Sequence, residues 1–268
     1  MEFSEFGRFL TQGSGIVQLM DDLGGAGQAG EVSMLGGGNP GAIPAMQTFF
    51  RKAMTELLGD GARFDAVIGA YDSPEGDLRF RQALAHLLRD TYGWRIDAGN
   101  IAVTNGSQST FFVLFNLFSG RYADGGRRKV LLPLTPEYIG YADAGLGETI
   151  FVANRPSIEL KADNLFKYHV DVEGLHVDPG IGAMCVSRPT NPTGNVLTDT
   201  EVDILRERCR AAGIPLILDC AYGTPFPNII FTQARPVWDD GIVLCLSLSK
   251  LGLPGVRTGI VVAEPKVI

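Results

Sequence analysis

The sequence has few of the residues that would predict a disulfide framework or a zinc site. Its 268 residues include four cysteines, Cys185, Cys209, Cys220 and Cys245, and no CxxC pair. Three of these cysteines lie in or beside apolar runs, where a cysteine usually behaves as a small buried hydrophobe. The three histidines show no metal-ligand spacing. We therefore expect neither disulfides nor a metal site.

The sequence also lacks an excess of basic residues, since 23 Lys and Arg stand against 30 Asp and Glu. Nucleic acids and anionic membranes bind basic faces, so this balance disfavours both as partners. No apolar run approaches the roughly 20 residues of a membrane-spanning helix, and the N-terminus lacks the pattern of a signal peptide. We expect a cytoplasmic protein, and we expect its basic cluster, residues 127–129, in a solvated loop.

The order of apolar and polar residues predicts an α/β fold. Residues 1–45 are rich in glycine and are predicted to be irregular, and helices are predicted over about 46–58 and 76–92. Beyond them, short apolar runs alternate with amphipathic stretches. This alternation is typical of a mostly parallel sheet covered by helices in three α/β/α layers. The predicted strands are 129–132, 149–152, 183–187, 215–219, 242–246 and 259–263.

One helix is predicted with well-defined ends. Thr198 and Glu201 have the spacing of a capping box, which marks the first turn of a helix. Gly213 stands where the apolar periodicity stops and predicts the end of the same helix. The inward-facing positions would be Val202, Leu205 and Cys209.

The segment SLSKLGLPGVRTG, residues 247–259, carries the most chemical information. Lys250 directly follows a predicted strand, at the sheet end where open α/β folds bind ligands. A partly desolvated lysine among other cations is a good nucleophile, as imine formation requires. Arg257 offers a fork suited to phosphate, and the hydroxyls of Ser247 and Ser249 add donors. SxSK alone would fit a surface loop equally well, but PGxRxG at this spacing favours the chemical interpretation.

A second segment, PLILDCAY, ends a predicted strand at Asp219. A carboxylate in that position is poorly solvated unless it faces a cation, and a protonated pyridine nitrogen is such a cation. Tyr222, three residues later, could donate to a ring oxygen of the same group. Taken alone, Asp219 fits a cap of the next element better.

A third segment, SRPTNPTG, builds a rigid turn that could present Asn191 inward, although such dipeptides mark ordinary turns as well. The fourth, TNGSQSTF, combines a glycine with a helix start at Ser107 and Gln108. Helix N-termini bind anions through their free N–H groups, but on spacing alone a plain helix start explains this segment better. Tyr138 follows another strand and could stack on an aromatic ring or serve as a packing residue.

Together, these segments resemble the class I family of pyridoxal-phosphate (PLP) aminotransferases, which have the fold type I architecture. The sequence contains the five motifs of this family in the family's order: a phosphate-binding helix start, an aromatic stacker, NPTG, DxxY and SxSK…R. Residues 34–40, 134–145, 187–195 and 247–255 resemble the branch that exchanges an amino group between valine and pyruvate, giving 2-oxoisovalerate and alanine. A different transaminase or a lyase of the same fold remains the alternative. A cofactor-sensing regulator would need a basic DNA-binding module, and residues 1–45 show none.

The resemblance implies a role for each candidate residue. Lys250 would form the Schiff base with PLP and carry the proton, and Asp219 would pair with the pyridine nitrogen. Tyr222 and Asn191 would bond the ring oxygen, and Tyr138 would stack on the ring. The phosphate would be held by Ser107, Gln108, Ser247, Ser249 and Arg257.

The resemblance also implies substrates and a partner. Amino acids and 2-oxo acids would bind near Asn191 and the backbone of Gly38. Tyr71 matches a family tyrosine that reaches the phosphate of the neighbouring subunit, which implies a homodimer with shared active sites. Residues 1–45 would form an arm and substrate loop, and 46–268 the PLP-binding large domain. The small C-terminal domain, with its carboxylate-binding arginine, is expected to be missing. If the chain truly ends at Ile268, we expect cofactor binding with little transamination, or an inactive truncated product.

Overall fold

The computed structural model describes residues 1–26, 38–146 and 149–268. Within them, eight strands form one sheet: β1 (Ile101–Thr104), β2 (Gly120–Arg121), β3 (Arg127–Leu132), β4 (Phe151–Ala153), β7 (Ile181–Ser187), β8 (Leu216–Asp219), β9 (Ile242–Ser247) and β10 (Gly259–Val262). A separate hairpin consists of β5 (Ser157–Leu160) and β6 (Phe166–His169). The helices are α1 (Glu5–Leu10), α2 (Gly15–Ala26), α3 (Pro44–Gly59), α4 (Gly61–Gly69), α5 (Leu78–Tyr92), α6 (Ser107–Phe118) and α7 (Asp199–Ala212).

The sheet has a parallel centre and antiparallel edges. Its order is β1-β10-β9-β8-β7-β3-β2, with β4 also paired to β3. The pairs β3–β4, β3–β7, β7–β8 and β8–β9 are parallel, whereas β10 runs antiparallel to both β9 and β1. Every residue of β7, β8 and β9 is buried, as expected for parallel strands covered on both faces.

Two apolar clusters lie on opposite faces of this sheet and confirm the predicted three-layer α/β/α arrangement. In β7, Met184 and Val186 join a cluster with Leu88 of α5 and Leu205 of α7. Cys185 points to the other face and joins a cluster with Phe115 of α6. Since successive side chains of a strand point to opposite faces, one continuous apolar run supplies both cores.

Most of the predicted elements are confirmed with small shifts at their ends. All six predicted strands occur. The strand predicted at 149–152 is β4, which begins two residues later, at Phe151. The predicted helices correspond to α3 and α5. In α7 the capping box between Thr198 and Glu201 is present, and Gly213 ends the helix with a φ of 68°.

Two expectations were wrong. Residues 1–45 are not irregular throughout, because they contain α1, α2 and the start of α3, and the Ser4 hydroxyl caps α1 by accepting the Gly7 N–H across 3.0 Å. The basic cluster is not a loop, because Arg127 and Arg128 begin β3 and pair with β2. Arg128 is held there by the Tyr122 ring, 3.9 Å away, and by the Asp124 carboxylate.

The first helices lie outside both cores. Neither α3 nor α4 contains a buried residue. The apolar side chains of these helices that are more than half exposed are Phe49, Met54, Leu58, Val67 and Ile68. Within the described residues, no helix combines the length and the apolar character needed to cross a membrane.

Candidate active site

Strand register places the candidate residues at one edge of the sheet. Thr104, at the end of β1, pairs with Gly259, which pairs in turn with Ser247 at the end of β9. On the parallel side, Ser187 at the end of β7 pairs with Asp219 at the end of β8. These ends meet because β1, β7, β8 and β9 run in the same direction. Ligands of open α/β sheets bind at this edge.

Asp219 is a buried carboxylate, with 6% of its surface exposed. Its Oδ2 accepts a hydrogen bond from the Tyr141 hydroxyl across 2.6 Å, and its Oδ1 accepts the Ala221 N–H across 2.9 Å. Burial raises the pKa of this carboxyl, and the two hydrogen bonds oppose that rise. Among the described residues, no cation lowers it further. The site therefore suits a ligand that brings a positive charge to Asp219.

Tyr141 is a site residue to which the sequence pattern assigned no role. It lies in a short 3₁₀ turn, Ile139–Tyr141, and its ring packs against Phe111 and Phe115 at centroid distances of 4.8 and 5.2 Å. Burial, followed by the nearby Asp219, raises the pKa of its hydroxyl, so Tyr141 remains a hydrogen-bond donor. The PEYIGY spacing was a signal, but it does not reveal which strand the second tyrosine reaches.

Lys250, Tyr222 and Asn191 lie together, as their positions in the motifs predicted. The Asn191 amide donates to the Tyr222 hydroxyl across 3.3 Å, and the Lys250 ammonium nitrogen lies 5.1 Å from the centroid of the Tyr222 ring. All three side chains are partly exposed. They therefore offer an amine, a phenol and an amide to one ligand.

A second group of residues surrounds the start of α6 with donors that could hold an anion, and we call this group the anion cradle. Gly106 precedes this helix with a φ of 84°, and none of the described side chains caps the helix end. A Cβ at Gly106 would lie 2.6 Å from Nη2 of Arg257, so the guanidinium lies directly against the loop. A Cβ at Gly259 would lie 2.7 Å from the backbone nitrogen of Ser107. Close packing at these two glycines brings a cation and free N–H groups together.

Gln108 and Ser249 contribute to the cradle through different atoms. The Gln108 side chain donates to the Gly140 carbonyl across 2.5 Å, so the group that Gln108 would offer a ligand is its backbone N–H at the helix start. The Ser249 N–H donates to the Ser247 hydroxyl across 3.1 Å. The predicted phosphate ligands therefore surround the beginning of α6 and the end of β9.

Tyr138 lies between the two groups. Its ring makes an edge contact with Tyr141 at 5.6 Å. Burial raises the pKa of the Tyr138 hydroxyl, with further contributions from Tyr222 and Asp219. Arg257 has the opposite effect on the same pKa. The Tyr138 hydroxyl is thus affected by both the Asp219 carboxylate and Arg257 of the cradle. A tyrosine that stacks on a ligand held between these two groups would have this position.

Glu137, next to this tyrosine, is a second residue to which the sequence pattern assigned no role. Its Oε1 accepts the Ser187 N–H across 2.9 Å, and its Oε2 bonds the Ser187 hydroxyl. Burial raises the pKa of Glu137 to about 7, the hydrogen bonds from Ser187 lower it, and the Asp219 charge raises it.

Two predicted residues lie apart from this cluster. Tyr71 is fully exposed, and a Cβ built on Gly38 would meet no described atom within 4 Å. Residues 34–37 of the predicted substrate loop lie outside the described residues. The structure therefore groups ten of the twelve candidate residues, which are Ser107, Gln108, Tyr138, Asn191, Asp219, Tyr222, Ser247, Ser249, Lys250 and Arg257.

An open cavity of about 860 Å³ adjoins Asn191 and Tyr222. Its other walls come from the β5–β6 hairpin, the turn that follows Pro189 and residues 229–233. The amide and phenol of the cluster therefore face a space large enough for a small molecule.

Known proteins match both the sequence and the fold. The chain is 56% identical over all 268 residues to valine–pyruvate aminotransferase of Escherichia coli K12, and it covers 64% of that protein. The crystal structure of the Salmonella typhimurium LT2 valine–pyruvate aminotransferase superposes with a TM-score of 0.82 and 52% identity over 94% of this chain and 61% of that one. A Psychrobacter arcticum protein proposed to be an amino-acid aminotransferase superposes with a TM-score of 0.91 and 47% identity over the whole chain and 65% of that protein.

These three relatives are longer than this chain, and the chain also matches the model of a whole family. The chain spans less than two thirds of the length of each of these three relatives. The family model for aminotransferase class I and II matches residues 50–268, which include every residue of the cluster described above. The chain belongs to the aminotransferase class I and II family, whose members use PLP.

Proposed function

We propose that this chain binds PLP covalently through Lys250 and uses it to transfer an amino group between valine and pyruvate. The observation that carries this proposal is that three unlike groups lie at one edge of the sheet: a buried carboxylate, an amine beside the Tyr222 ring and an anion cradle. PLP carries a pyridine nitrogen, an aldehyde and a phosphate, which are the complementary groups. Asp219, Lys250 and Arg257 would hold them in that order.

Each side chain would have a separate task. When bound, the protonated pyridine ring of PLP draws electrons from the bond that breaks at the α carbon of the amino acid. Asp219 would keep the ring nitrogen protonated, because a buried carboxylate is stabilised by an adjacent cation. Asn191 and Tyr222 would orient the ring oxygen. Lys250 would hold the aldehyde, and once the amino group of the substrate has displaced it, the released Lys250 amine would move the proton at the α carbon of the substrate.

The substrate assignment depends on the relatives. At 56% identity to the valine–pyruvate aminotransferase of E. coli, the pocket residues of this chain are expected to favour the same amino acids. The half-reaction separates this proposal from a lyase or another transaminase. The PLP-loaded protein is mixed with valine, alanine or aspartate, and the 2-oxo acid is measured. We expect 2-oxoisovalerate from valine and pyruvate from alanine. A failure to form either product while the protein retains PLP would contradict the substrate proposal.

Covalent attachment is tested on Lys250 itself. PLP-loaded protein is reduced with borohydride, digested and mapped, and we expect the label on the peptide that contains Lys250. Lys250→Ala should lose the label, whereas Lys52→Ala, a change at an exposed lysine of α3, should retain it. A label on another peptide, or no label in the unchanged protein, would refute the proposed function.

We also propose a homodimer in which Tyr71 reaches the phosphate of the neighbouring subunit. Tyr71 is fully exposed, and it follows two helices whose large apolar side chains are exposed as well. Apolar surface of this kind marks interaction sites. In a symmetric dimer the same surface would cover itself and bring Tyr71 of each copy to the other. Residues 46–268 would then form the cofactor-binding domain, with residues 1–45 as an arm.

A further inference from the structure

Glu137 connects the loop that contains Tyr138 and Tyr141 to the end of β7. Its carboxylate accepts the Ser187 backbone N–H across 2.9 Å and bonds the Ser187 hydroxyl as well. Ser187 is the last residue of β7 and is 3% exposed. Both bonds therefore attach the loop that contains Glu137 to a rigid strand end, 50 residues away in sequence.

The contact between Glu137 and Ser187 belongs to a set of interactions that surround Asp219. Ser187 pairs with Asp219 in the parallel register of β7 and β8, and the Arg188 N–H donates to the Asp219 carbonyl across 2.8 Å. The Asp219 carboxylate accepts from Tyr141, which lies in the same loop as Glu137. The loop is thus held at its first residue by Glu137 and at its last by Tyr141. Tyr138, which would stack on the cofactor ring, lies between these two attachments.

A carboxylate is an unexpected choice for this contact. An amide could accept the same N–H and donate to the same hydroxyl without introducing a charge. Glu137 faces the Asp219 carboxyl, the Tyr141 hydroxyl and the Cys185 thiol, each of which would be repelled by a second negative charge if ionised. In this setting burial raises the pKa of Glu137 to about 7. Burial and the Asp219 charge therefore favour the proton on Glu137, which ionises only as the pH passes about 7.

We propose that Glu137 is a positioning residue that holds Tyr138 over the cofactor and Tyr141 on Asp219. Attachment to Ser187 sets the position of the loop, and a neutral Glu137 leaves the negative charge of the site at Asp219 for the ring nitrogen. This inference rests on the proposed function, since the cofactor is the group that the loop positions.

The test compares the unchanged protein with Glu137→Ala, Glu137→Gln and Ser187→Ala. The readouts are the dissociation constant for PLP, the visible circular dichroism of the bound cofactor and the melting temperature of the cofactor-free protein. Loss of one or two buried hydrogen bonds should weaken PLP binding about tenfold in Glu137→Ala and reduce its dichroism. Glu137→Gln should restore both within about threefold, because a neutral amide makes the same contacts. Glu207→Ala, at an exposed helix position, is the matched control.

Each outcome supports or refutes the positioning role of Glu137. Unchanged PLP affinity and dichroism in Glu137→Ala would overturn the positioning role. A Glu137→Gln variant as impaired as Glu137→Ala would overturn the protonated form. If Glu137→Ala fails to fold, Ser187→Ala decides, since it removes the hydroxyl contact and retains the backbone one; an unchanged affinity would refute the proposal. Failure of the unchanged protein to bind PLP at Lys250 would instead refute the proposed function.

Discussion

The Tyr141 hydroxyl donates to Oδ2 of Asp219 across 2.6 Å, although the two residues are 78 positions apart. The bond is buried, and it opposes the rise in the pKa of Asp219 that burial causes. Tyr141 therefore helps Asp219 to remain ionised, which is the form that can pair with a protonated ring nitrogen.

Replacing Tyr141 with phenylalanine should weaken PLP binding and slow the valine half-reaction by about 10- to 100-fold. The change removes a hydrogen bond to a charged group, which contributes about 1.5–3 kcal/mol. Titration of the cofactor-free protein with PLP and stopped-flow mixing with valine measure the two effects. Tyr92→Phe, on α5 and remote from this sheet edge in sequence, should change neither, because its described contact is ring packing on Trp94. Equal affinity in Tyr141→Phe would show that Asp219 does not need this donor.

Replacing Gly106 with alanine should weaken binding of PLP but not of pyridoxal, which lacks the phosphate. The new Cβ would lie 2.6 Å from Nη2 of Arg257 and would force the guanidinium out of the cradle. Gly125→Ala is a matched control, since Gly125 has a similar φ of 81° but a Cβ added there would meet no described atom within 4 Å. Both changes should lower the free energy of unfolding by roughly 1 kcal/mol through backbone strain. Equal loss of pyridoxal and PLP affinity in Gly106→Ala would contradict a phosphate role.

Glu137 should make the stability of the cofactor-free protein fall as the pH rises. Its pKa is about 7 in the folded protein and near 4.5 in the unfolded chain, so the folded state binds more protons between these values. The stability associated with this proton is therefore complete below about pH 4.5 and lost by about pH 7. At about 1.4 kcal/mol per pKa unit, the loss is about 3 kcal/mol.

Glu137→Gln cannot titrate and isolates this effect from that of Asp219. In urea unfolding, the mutant should gain about 2–3 kcal/mol relative to the unchanged protein between pH 5 and pH 8. Glu207→Gln, at an exposed position, should show no such change. A difference between Glu137→Gln and the unchanged protein that is the same at both pH values would show that Glu137 ionises normally.

Replacing Phe49 with glutamate should shift the proposed dimer toward monomer. Phe49 lies on α3 and is 61% exposed in the single chain, so a dimer that covers it would bury an unpaired charge in the mutant. Light scattering after gel filtration gives the mass of each species. Leu87→Glu, at an exposed position of α5, introduces the same charge elsewhere and should leave the mass unchanged. A monomeric unchanged protein would refute the dimer itself.

Local sequence was sufficient to predict most elements near the site. The apolar runs that became β7, β8 and β9 are buried on both faces, so their composition is unambiguous, and the capping box at Thr198 is a contact between residues three apart. The N-terminal helices were missed because the glycine-rich composition of residues 1–45 concealed short helices such as α1, which a single serine caps.

The sequence by itself determined which residues end the strands, and hence that Asp219, Lys250 and Asn191 follow apolar runs. It did so because burial selects side chains within one short segment. Tertiary structure alone decided that Tyr141 reaches Asp219 and that Glu137 holds Ser187. The Glu137 contact requires β3 to lie beside β7, and the Tyr141 contact requires β8 to follow on the other side of β7; strand order depends on pairings between distant segments that no local pattern encodes.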